Sequence, residues 1–469
     1  MSDKKMSRRK FLTVAGAAAA VVVGGAAIYL SSSPTTTPVV SPTTTQAATQ
    51  TTAAAGGQVN FAYPTADEIT GLVNHVTPQF SAAAPGWSIN PIQIPFENLH
   101  ERLMTAFIGK VGAYDLFYLD YPWTGEFYGG GYARELTPYL QDPNVVDPNF
   151  DLSDIVPNLM KALGTYKGKT YGIPFDGAAM FEFYRTDLFN DETEKKNFES
   201  KYGHELKPPE TWDEFNQVAE FFTRPPNLYG TCLFLKQDPN LECMFLNRLA
   251  TMGSVTGYLD DQMKPTLNTN EALEALNLVI KQMKYCPPDV LSYSWGEVIT
   301  AISGGIIATA EDFMNPFPMF NDPSASKIAG NVGSYPIPRG QNGQYHNCMG
   351  GTALAISADS KNPLAAFKLM QVLKNKENDK WGLENAIPGT RTSTYADPEL
   401  LQTYGYFLPT QLDATNTAVT RPNIPELEQL MIPFRANVGQ ACAGKKSPEQ
   451  ALGDTTSQWN TILHGAGYF

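Results

Sequence analysis

The chain has 469 residues, 42% of them hydrophobic and 17% charged, enough for one or two sizeable cores. Its formal net charge is −13, and Lys4, Lys5, Arg8, Arg9 and Lys10 all lie near the start, so the rest of the chain is more acidic still. Such a body repels phosphate backbones, which argues against nucleic acid as a partner and leaves neutral ligands open.

Residues 1–30 read as a targeting segment. Ser7-Arg8-Arg9-Lys10-Phe11-Leu12 resembles the twin-arginine export signal, and an uncharged run follows to Leu30. About 20 apolar residues in a helix reach across a bilayer. The segment is either cleaved or kept as a membrane anchor; the lack of a clear small-x-small site after Leu30 favours the anchor. No cysteine follows the run, so a lipid-anchored cysteine is excluded. Residues 31–57 are dominated by Ser, Thr, Pro, Ala, Gln and Gly, a composition that builds no core and reads as an extracellular stalk.

The folded body starts at Val59. Val59 to Tyr63 reads as a strand, then Asp67 to Phe80 as a helix with Thr65 as its cap. Trp87 to Ile94 is a second strand and Phe96 to Ile108 a second helix. The third strand lies in Tyr114–Trp123, YDLFYLDYPW: an apolar run ends at Asp120, and Tyr121, Pro122 and Trp123 follow at once. Ligands of open α/β sheets bind beyond the carboxyl ends of strands, where an acid accepts hydroxyl protons and aromatic rings stack on C–H faces. On these ten residues alone, a strand end with a core Trp is the better fit. Alternating strands and helices predict a parallel, helix-covered sheet.

A tight turn at Lys167-Gly168-Lys169 leads to a strand through Pro174, and Phe181 to Leu188 reads as another. Thr211 and Glu214 form a capping box before the apolar face of Phe215 and Val218. Asn270 to Lys284 is an amphipathic helix, Gly296 to Ser303 a short one, and Ile306 to Ala310 a strand. Cys348 to Ile356 reads as a strand entered through a double glycine, and Pro363 to Lys374 as a helix.

The five cysteines, Cys232, Cys243, Cys286, Cys348 and Cys442, contain no CxxC pair, which argues against a zinc ribbon or a thioredoxin-type site. In an exported body disulfides are permitted. Cys232 with Cys243 is the close pair, and a bridge or free thiols both fit. The sequence has no HExxH, GxSxG, Walker A or GxGxxG, and the histidines stand without metal-ligand spacing. No cofactor and no metal is implied. Carboxylates are numerous, so a glycosidase pair is not excluded by counting.

Several segments together resemble the extracellular solute-binding proteins of ABC importers, in the sugar-binding group that includes maltose- and trehalose-binding proteins. They are YDLFYLDYPWTGEFYGGGYARELTPYL, YKGKTYGIPFDGAAMFEFYRTDLF, PPETWDEF, GGTALAIS with SKNPLAAFKLM, AIPGTRTSTYADPEL, and RPNIPELEQL with KKSPEQAL. In this order they cover essentially all of 58–469. The resemblance implies an α/β fold of two lobes, periplasmic-binding-protein-like, joined by chain crossings. Lobe one would hold 58–176 plus 352–388, and lobe two 177–351 plus 389–469. It also implies a carbohydrate ligand in the inter-lobe cleft, ABC permease subunits as partners, a monomer at the cell surface, membrane contact through the N-terminal segment alone, and no catalysis.

Carried over residue by residue, the resemblance implies ligand contacts from Glu68 and Asp120, with Asp176 at a cleft position in the first crossing. Phe313, after Glu311 and Asp312, falls where the family often has a stacking Trp; Asp312 joins the candidate set with it. Gly351 matches a backbone contact, and Arg391 lies in a loop that supplies a ligand-binding Arg. Tyr121 and Trp123 beside Asp120, and Tyr63 and Trp295 by position, complete the candidates. Two departures weaken a disaccharide assignment: Thr352 stands where a Trp often follows the double glycine, and Phe313 replaces a Trp. The competing readings are a secreted carbohydrate-acting hydrolase and the same fold binding another polar solute.

Overall fold

Strand and helix alternate from the first described residue. The computed structural model describes residues 56–313, 317–340, 343 and 345–469. The export signal and nearly all of the stalk lie outside the described residues. In chain order the elements that matter are β1 (Gly57–Pro64), α1 (Asp67–Ala83), β2 (Trp87–Ile94), α2 (Phe96–Ile108), β3 (Leu116–Asp120), α3 (Thr124–Gly129) and β4 (Gly172–Asp176). They continue with β5 (Phe181–Arg185), α4 (Trp212–Phe222), α5 (Pro239–Thr251), α6 (Trp295–Ser303), β6 (Thr309–Asp312), β7 (Val332–Tyr335), β8 (Thr352–Ile356) and α7 (Pro363–Leu373).

The first sheet has five strands in the order β2-β1-β3-β8-β4. β1 runs parallel to both β2 and β3, as the alternation predicts. β8 departs from it, lying antiparallel to β3 and β4 because the chain re-enters this sheet from the far side. The carboxyl ends of β1 to β4 and the start of β8 therefore share one sheet edge. α1 buries Ile69, Leu72, Val73, Val76 and Phe80, a helical stripe. Its N-cap is Ala66, not Thr65. Thr65 extends the strand ladder instead, donating its N–H to the Ile94 carbonyl at 2.9 Å.

The second sheet is antiparallel, in the order β6-β5-β7. The strand expected to reach Leu188 stops at Arg185, where Thr186 opens a helical turn. The run expected as one strand from Cys348 to Ile356 is two. Asn347–Cys348 pairs with Ala418–Val419, while Thr352–Ile356 enters the first sheet. The break is Gly351, at φ +98°, where a Cβ would stand 2.6 Å from the Asp176 carbonyl oxygen. That left-handed backbone and close approach admit glycine.

Each sheet has its own core. One cluster gathers Val59, Phe61, Leu72, Leu99, Phe117, Phe175, Leu354 and Phe367; the other gathers Phe181, Phe183, Met244, Phe245, Ile302, Phe317, Phe434 and Trp459. The expected capping box is present: Thr211 Oγ1 accepts Glu214 N at 3.2 Å, and Glu214 Oε2 accepts Thr211 N at 3.1 Å. Such a cap is worth about 1 kcal/mol. α5 is buried all round and carries charge into the second core. Arg248 Nη1 meets Glu311 Oε1 at 2.5 Å, and Asn247 Nδ2 donates to Glu311 Oε2 at 2.6 Å. Glu182 faces Glu311 across the strands, and its buried carboxyl oxygens have no hydrogen-bond partner.

All five cysteines are buried and free, so the Cys232–Cys243 bridge is not formed. Cys243 sits on the inward face of α5, and its thiol lies against that of Cys348 instead. No helix among the described residues is long and apolar enough to cross a membrane.

Candidate functional site

The shared edge of the first sheet gathers acids. β3 ends at Asp120 and β4 at Asp176, and Thr352 at the start of β8 lies in register with both. The Thr352 hydroxyl donates to Asp176 Oδ2 at 2.7 Å. Asp120 Oδ1 accepts the N–H of Tyr121 at 2.9 Å. Glu68, in the first turn of α1, is close enough for its charge to act on both Asp176 and Tyr118. Tyr118 is two residues before Asp120 and so on the same strand face.

The electrostatics follow from this crowding. Burial pushes Asp120 up to about 7, a rise that the Arg421 guanidinium opposes and the Asp176 charge reinforces. Burial raises Asp176 to about 6 against the Thr352 hydrogen bond and the Lys374 ammonium. Burial also raises the Glu68 carboxyl, opposed by its own backbone N–H and reinforced by the Asp67 charge. Carboxyls, a threonine hydroxyl and a phenol thus line one short edge. Ionised carboxyls accept, and the hydroxyls can also donate. The set suits a solute rich in hydroxyl groups.

Arg421 comes from the segment after Ala418–Val419. Its Nη1 meets the buried Glu242 at 3.0 Å, its guanidinium lies 5.1 Å over the Tyr121 ring, and its carbonyl accepts the Tyr121 hydroxyl at 2.6 Å. Arg435 completes the charge balance, reaching Glu242 at 2.7 Å. The Arg421 Nε is buried with no hydrogen-bond partner.

A second group of candidates meets at the end of β6. Trp295, 41% exposed at the start of α6, donates its indole N–H to Asp312 Oδ1 at 3.1 Å. The same oxygen accepts Phe313 N at 2.7 Å, while Asp312 Oδ2 is buried without a partner. Burial drives the Asp312 carboxyl well above its usual range. Trp295 is therefore half in solvent. Phe313 packs against Gly350, where a Cβ would stand 2.7 Å from its ring.

Other expected contacts are placed elsewhere. Arg391 is fully buried and its guanidinium is taken: Nε and Nη2 donate to the Lys374 carbonyl at 3.0 and 2.5 Å, and Nη1 to that of Asp151 at 2.6 Å. Asp379 holds the same loop through Thr390, the Arg391 N–H and Thr394. This arginine is a structural pin. Tyr63 is enclosed in the first core, beneath the edge. Tyr121 spends its hydroxyl on Arg421, and Gly351 spends its carbonyl on the Tyr121 N–H at 3.1 Å. Trp123 stacks on Phe96 at 5.6 Å.

Sequence reading missed Tyr118, Thr352 and Arg421 as site residues. The alternation Tyr118–Leu119–Asp120 signals the first. Thr352 registered as the loss of an aromatic, when its gain is a hydroxyl. Arg421 stood in a segment read for its helices. Among the described residues no group of His, Cys, Asp or Glu is placed to hold a metal.

A two-lobed fold with a polar site at the edge of one sheet defines a solute-binding protein. The chain belongs to the bacterial extracellular solute-binding protein family, whose model matches residues 64–380. It is 24% identical over 411 residues to a mannitol-binding protein of Pseudomonas aeruginosa, covering 83% of this chain and 89% of that one. It is 24% identical over 392 residues to an erythritol/L-threitol-binding protein of Mycolicibacterium smegmatis, covering 81% of this chain and 75% of that one. Its fold matches a solute-binding protein of Agrobacterium radiobacter in complex with ribitol, with TM-score 0.73, 25% identity and coverage of 87% and 99%. It also matches the maltose-bound MalE3 of T. maritima, with TM-score 0.73, 22% identity and coverage of 87% and 100%. These are two-lobed periplasmic binding proteins, and this chain has that fold.

Proposed function

We propose that this protein captures a neutral, polyhydroxylated solute, a sugar or a polyol, outside the cell and delivers it to the permease of an ABC importer. The observation that carries this reading is the convergence of Glu68, Asp120, Thr352 and Asp176 on one strand edge. A hydrogen bond to a charged group is worth about 1.5–3 kcal/mol, so a few such contacts give a useful affinity. The ligands named for the mannitol-, erythritol- and ribitol-binding relatives are rich in hydroxyls and uncharged, which suits the same edge.

The lobes are taken as 58–176 plus 352–388 and 177–351 plus 389–469. Asp120, Asp176 and Glu68 supply one half-site; Trp295, Asp312 and Phe313 supply the other, with Arg421 beside Asp120. A ligand touching both halves stabilises the closed arrangement and makes loaded and empty forms differ in shape. Export by the twin-arginine route, an N-terminal membrane anchor, a monomeric state and the absence of catalysis complete the proposal.

Raised, neighbouring carboxyls also occur in glycosidases, and Asp120 and Asp176 give a hydrolase reading its one foothold. One experiment separates the two. Purified protein is titrated calorimetrically with sugars and polyols, and the recovered ligand is analysed for cleavage. Saturable binding with intact ligand supports capture; cleavage products would replace it with hydrolysis.

A further inference from the structure

One acid of the row is backed by a buried cation. Asp176 ends β4, and the residue before it, Phe175, offers its carbonyl to Lys374 Nζ at 2.7 Å. Lys374 is the C-cap of α7, is 2% exposed, and holds its ammonium 5.6 Å over the Phe175 ring. Its ionic partner is Asp379 on α8 (Lys376–Glu384), whose Oδ1 accepts Nζ at 2.5 Å. Arg391 lies beside the pair with its guanidinium spent on backbone carbonyls.

Asp379 is itself fixed. Burial would raise its carboxyl, but the Lys374 ammonium and the Thr394 and Thr390 hydroxyls outweigh burial and hold it below the usual carboxylate range. It also accepts the N–H groups of Thr390 and Arg391. The ammonium is thus clamped between Asp379 and the end of β4. A buried ion pair often adds no more stability than apolar residues of the same volume, since both charges leave water. Stability alone gives this pair little reason to exist; its position gives one. Glu68 from α1 and Asp120 from β3 bring like charge to Asp176. Tyr118 on β3 and Tyr395, in the helical turn after Arg391, also face it, and burial keeps both phenols protonated. Thr352 from β8 donates a hydrogen bond, and Lys374 brings the opposing charge.

We propose that Lys374 is the positioning residue for Asp176: clamped by Asp379, its ammonium pins the end of β4 and sets a positive charge behind the acid that meets the ligand. Lys374 is enclosed by the fold, so it acts through Asp176 and not on the solute. The Phe175 contact fixes the backbone from which the Asp176 carboxyl projects. The charge favours the ionised acid, the stronger acceptor of ligand hydroxyls, against its acidic neighbours. The role of Asp176 here rests on the sugar or polyol reading of the site.

The test follows the Asp176 carboxyl and ligand affinity together. The full-length protein, isotopically labelled at its aspartate carboxyl carbons, is titrated by NMR, with the Asp176 signal assigned by its loss in Asp176→Asn. Lys374→Gln removes the charge and keeps a donor for Phe175 and Asp379. The Lys374→Met, Asp379→Asn double variant removes both charges of the pair, so that neither is left buried alone. A melting curve verifies that each is folded. In both, the Asp176 midpoint is expected to rise above its value of about 6. Calorimetric affinity is measured for ribitol, mannitol or maltose, whichever binds wild type. It is expected to fall about fivefold or more at about pH 6 and to return to within about twofold at about pH 9, where Asp176 ionises again. A purely structural loss would weaken binding alike at every pH. An Asp176 midpoint that stays at about 6 in either folded variant, or a loss of affinity that does not depend on pH, overturns the assignment. If none of the three solutes binds wild type, the sugar or polyol reading falls, and the carboxyl titration alone decides whether Lys374 governs Asp176.

Discussion

Thr352 Oγ1 donates to Asp176 Oδ2 at 2.7 Å, tying the strand that enters the first sheet to the one that leaves it. Thr352→Val keeps the shape and removes the donor. An acceptor left buried without its partner costs about 1–3 kcal/mol. The variant should melt lower, and Asp176 should climb above its value of about 6. Ligand affinity should weaken most on the acidic side. Affinity identical to wild type from about pH 5 to about pH 8 would remove Thr352 from the site.

Ligand affinity should fall on acidification. Asp120 titrates near about 7 and Asp176 near about 6, and each accepts hydroxyl protons best when ionised. Stability of the empty protein runs the other way. Between the usual 3.8 and about 7 the folded state holds more protons at Asp120 than the unfolded chain does. That contribution is present at low pH and is lost as pH rises through the folded value. Asp120→Asn, which cannot ionise, should therefore raise the melting temperature of the empty protein above neutral pH while weakening ligand binding. A variant that binds as wild type does would place the ligand elsewhere.

Glu182 is buried against Glu311 with both oxygens unpaired, and burial followed by the Glu311 charge drives its carboxyl well above the usual range. The protonated form is the one the fold accommodates, with Arg248 balancing Glu311. Its contribution is complete below the unfolded value and is lost as pH rises toward the folded one. Glu182→Gln should melt above wild type at alkaline pH, with the gap closing as pH falls. Melting curves that stay parallel across pH would contradict this assignment.

Arg391 and Arg421 should behave differently. Arg391→Lys loses the forked donation to the Lys374 and Asp151 carbonyls, so the melting temperature should drop with ligand affinity little changed. Arg421→Gln removes the charge that favours ionised Asp120, so the pH midpoint of ligand binding should move up. A shift in that midpoint for Arg391→Lys would return Arg391 to the site.

All five cysteines are free and buried. A thiol reagent should label none of them quickly in the folded protein and all of them in denaturant without reductant. Incomplete labelling in denaturant would indicate a disulfide.

The strand and helix order of the first lobe was legible because its periodicities are strong: Trp87–Ile94 and Phe96–Ile108 coincide with the residues read from pattern alone. The strand entered through the double glycine was legible from Thr352 to Ile356, but the separate pairing of Asn347–Cys348 was not, because the backbone turns at Gly351 and composition does not record φ. Asp120 was legible as an acid at a strand end. Its setting was not, since burial, Arg421, which opposes the rise, and Asp176, which adds to it, all arise from residues far away in sequence that meet it through the fold. Arg391 shows the converse: a residue type suited to ligands, in a loop suited to ligands, is consumed by backbone carbonyls.

The most direct measurement is calorimetric titration of wild type and of the Asp120→Ala, Asp176→Asn double variant with whichever sugar or polyol stabilises the wild type most in a thermal-shift screen. A ligand at about 100 times its Kd adds about 2.7 kcal/mol to the folded state, ample to find it by melting temperature. The expected result is saturable binding of intact ligand to wild type, weakened at least about tenfold for each charge-assisted hydrogen bond removed. Wild-type affinity in the double variant, or no stabilisation by any sugar or polyol, would contradict an acid row that captures a hydroxylated solute.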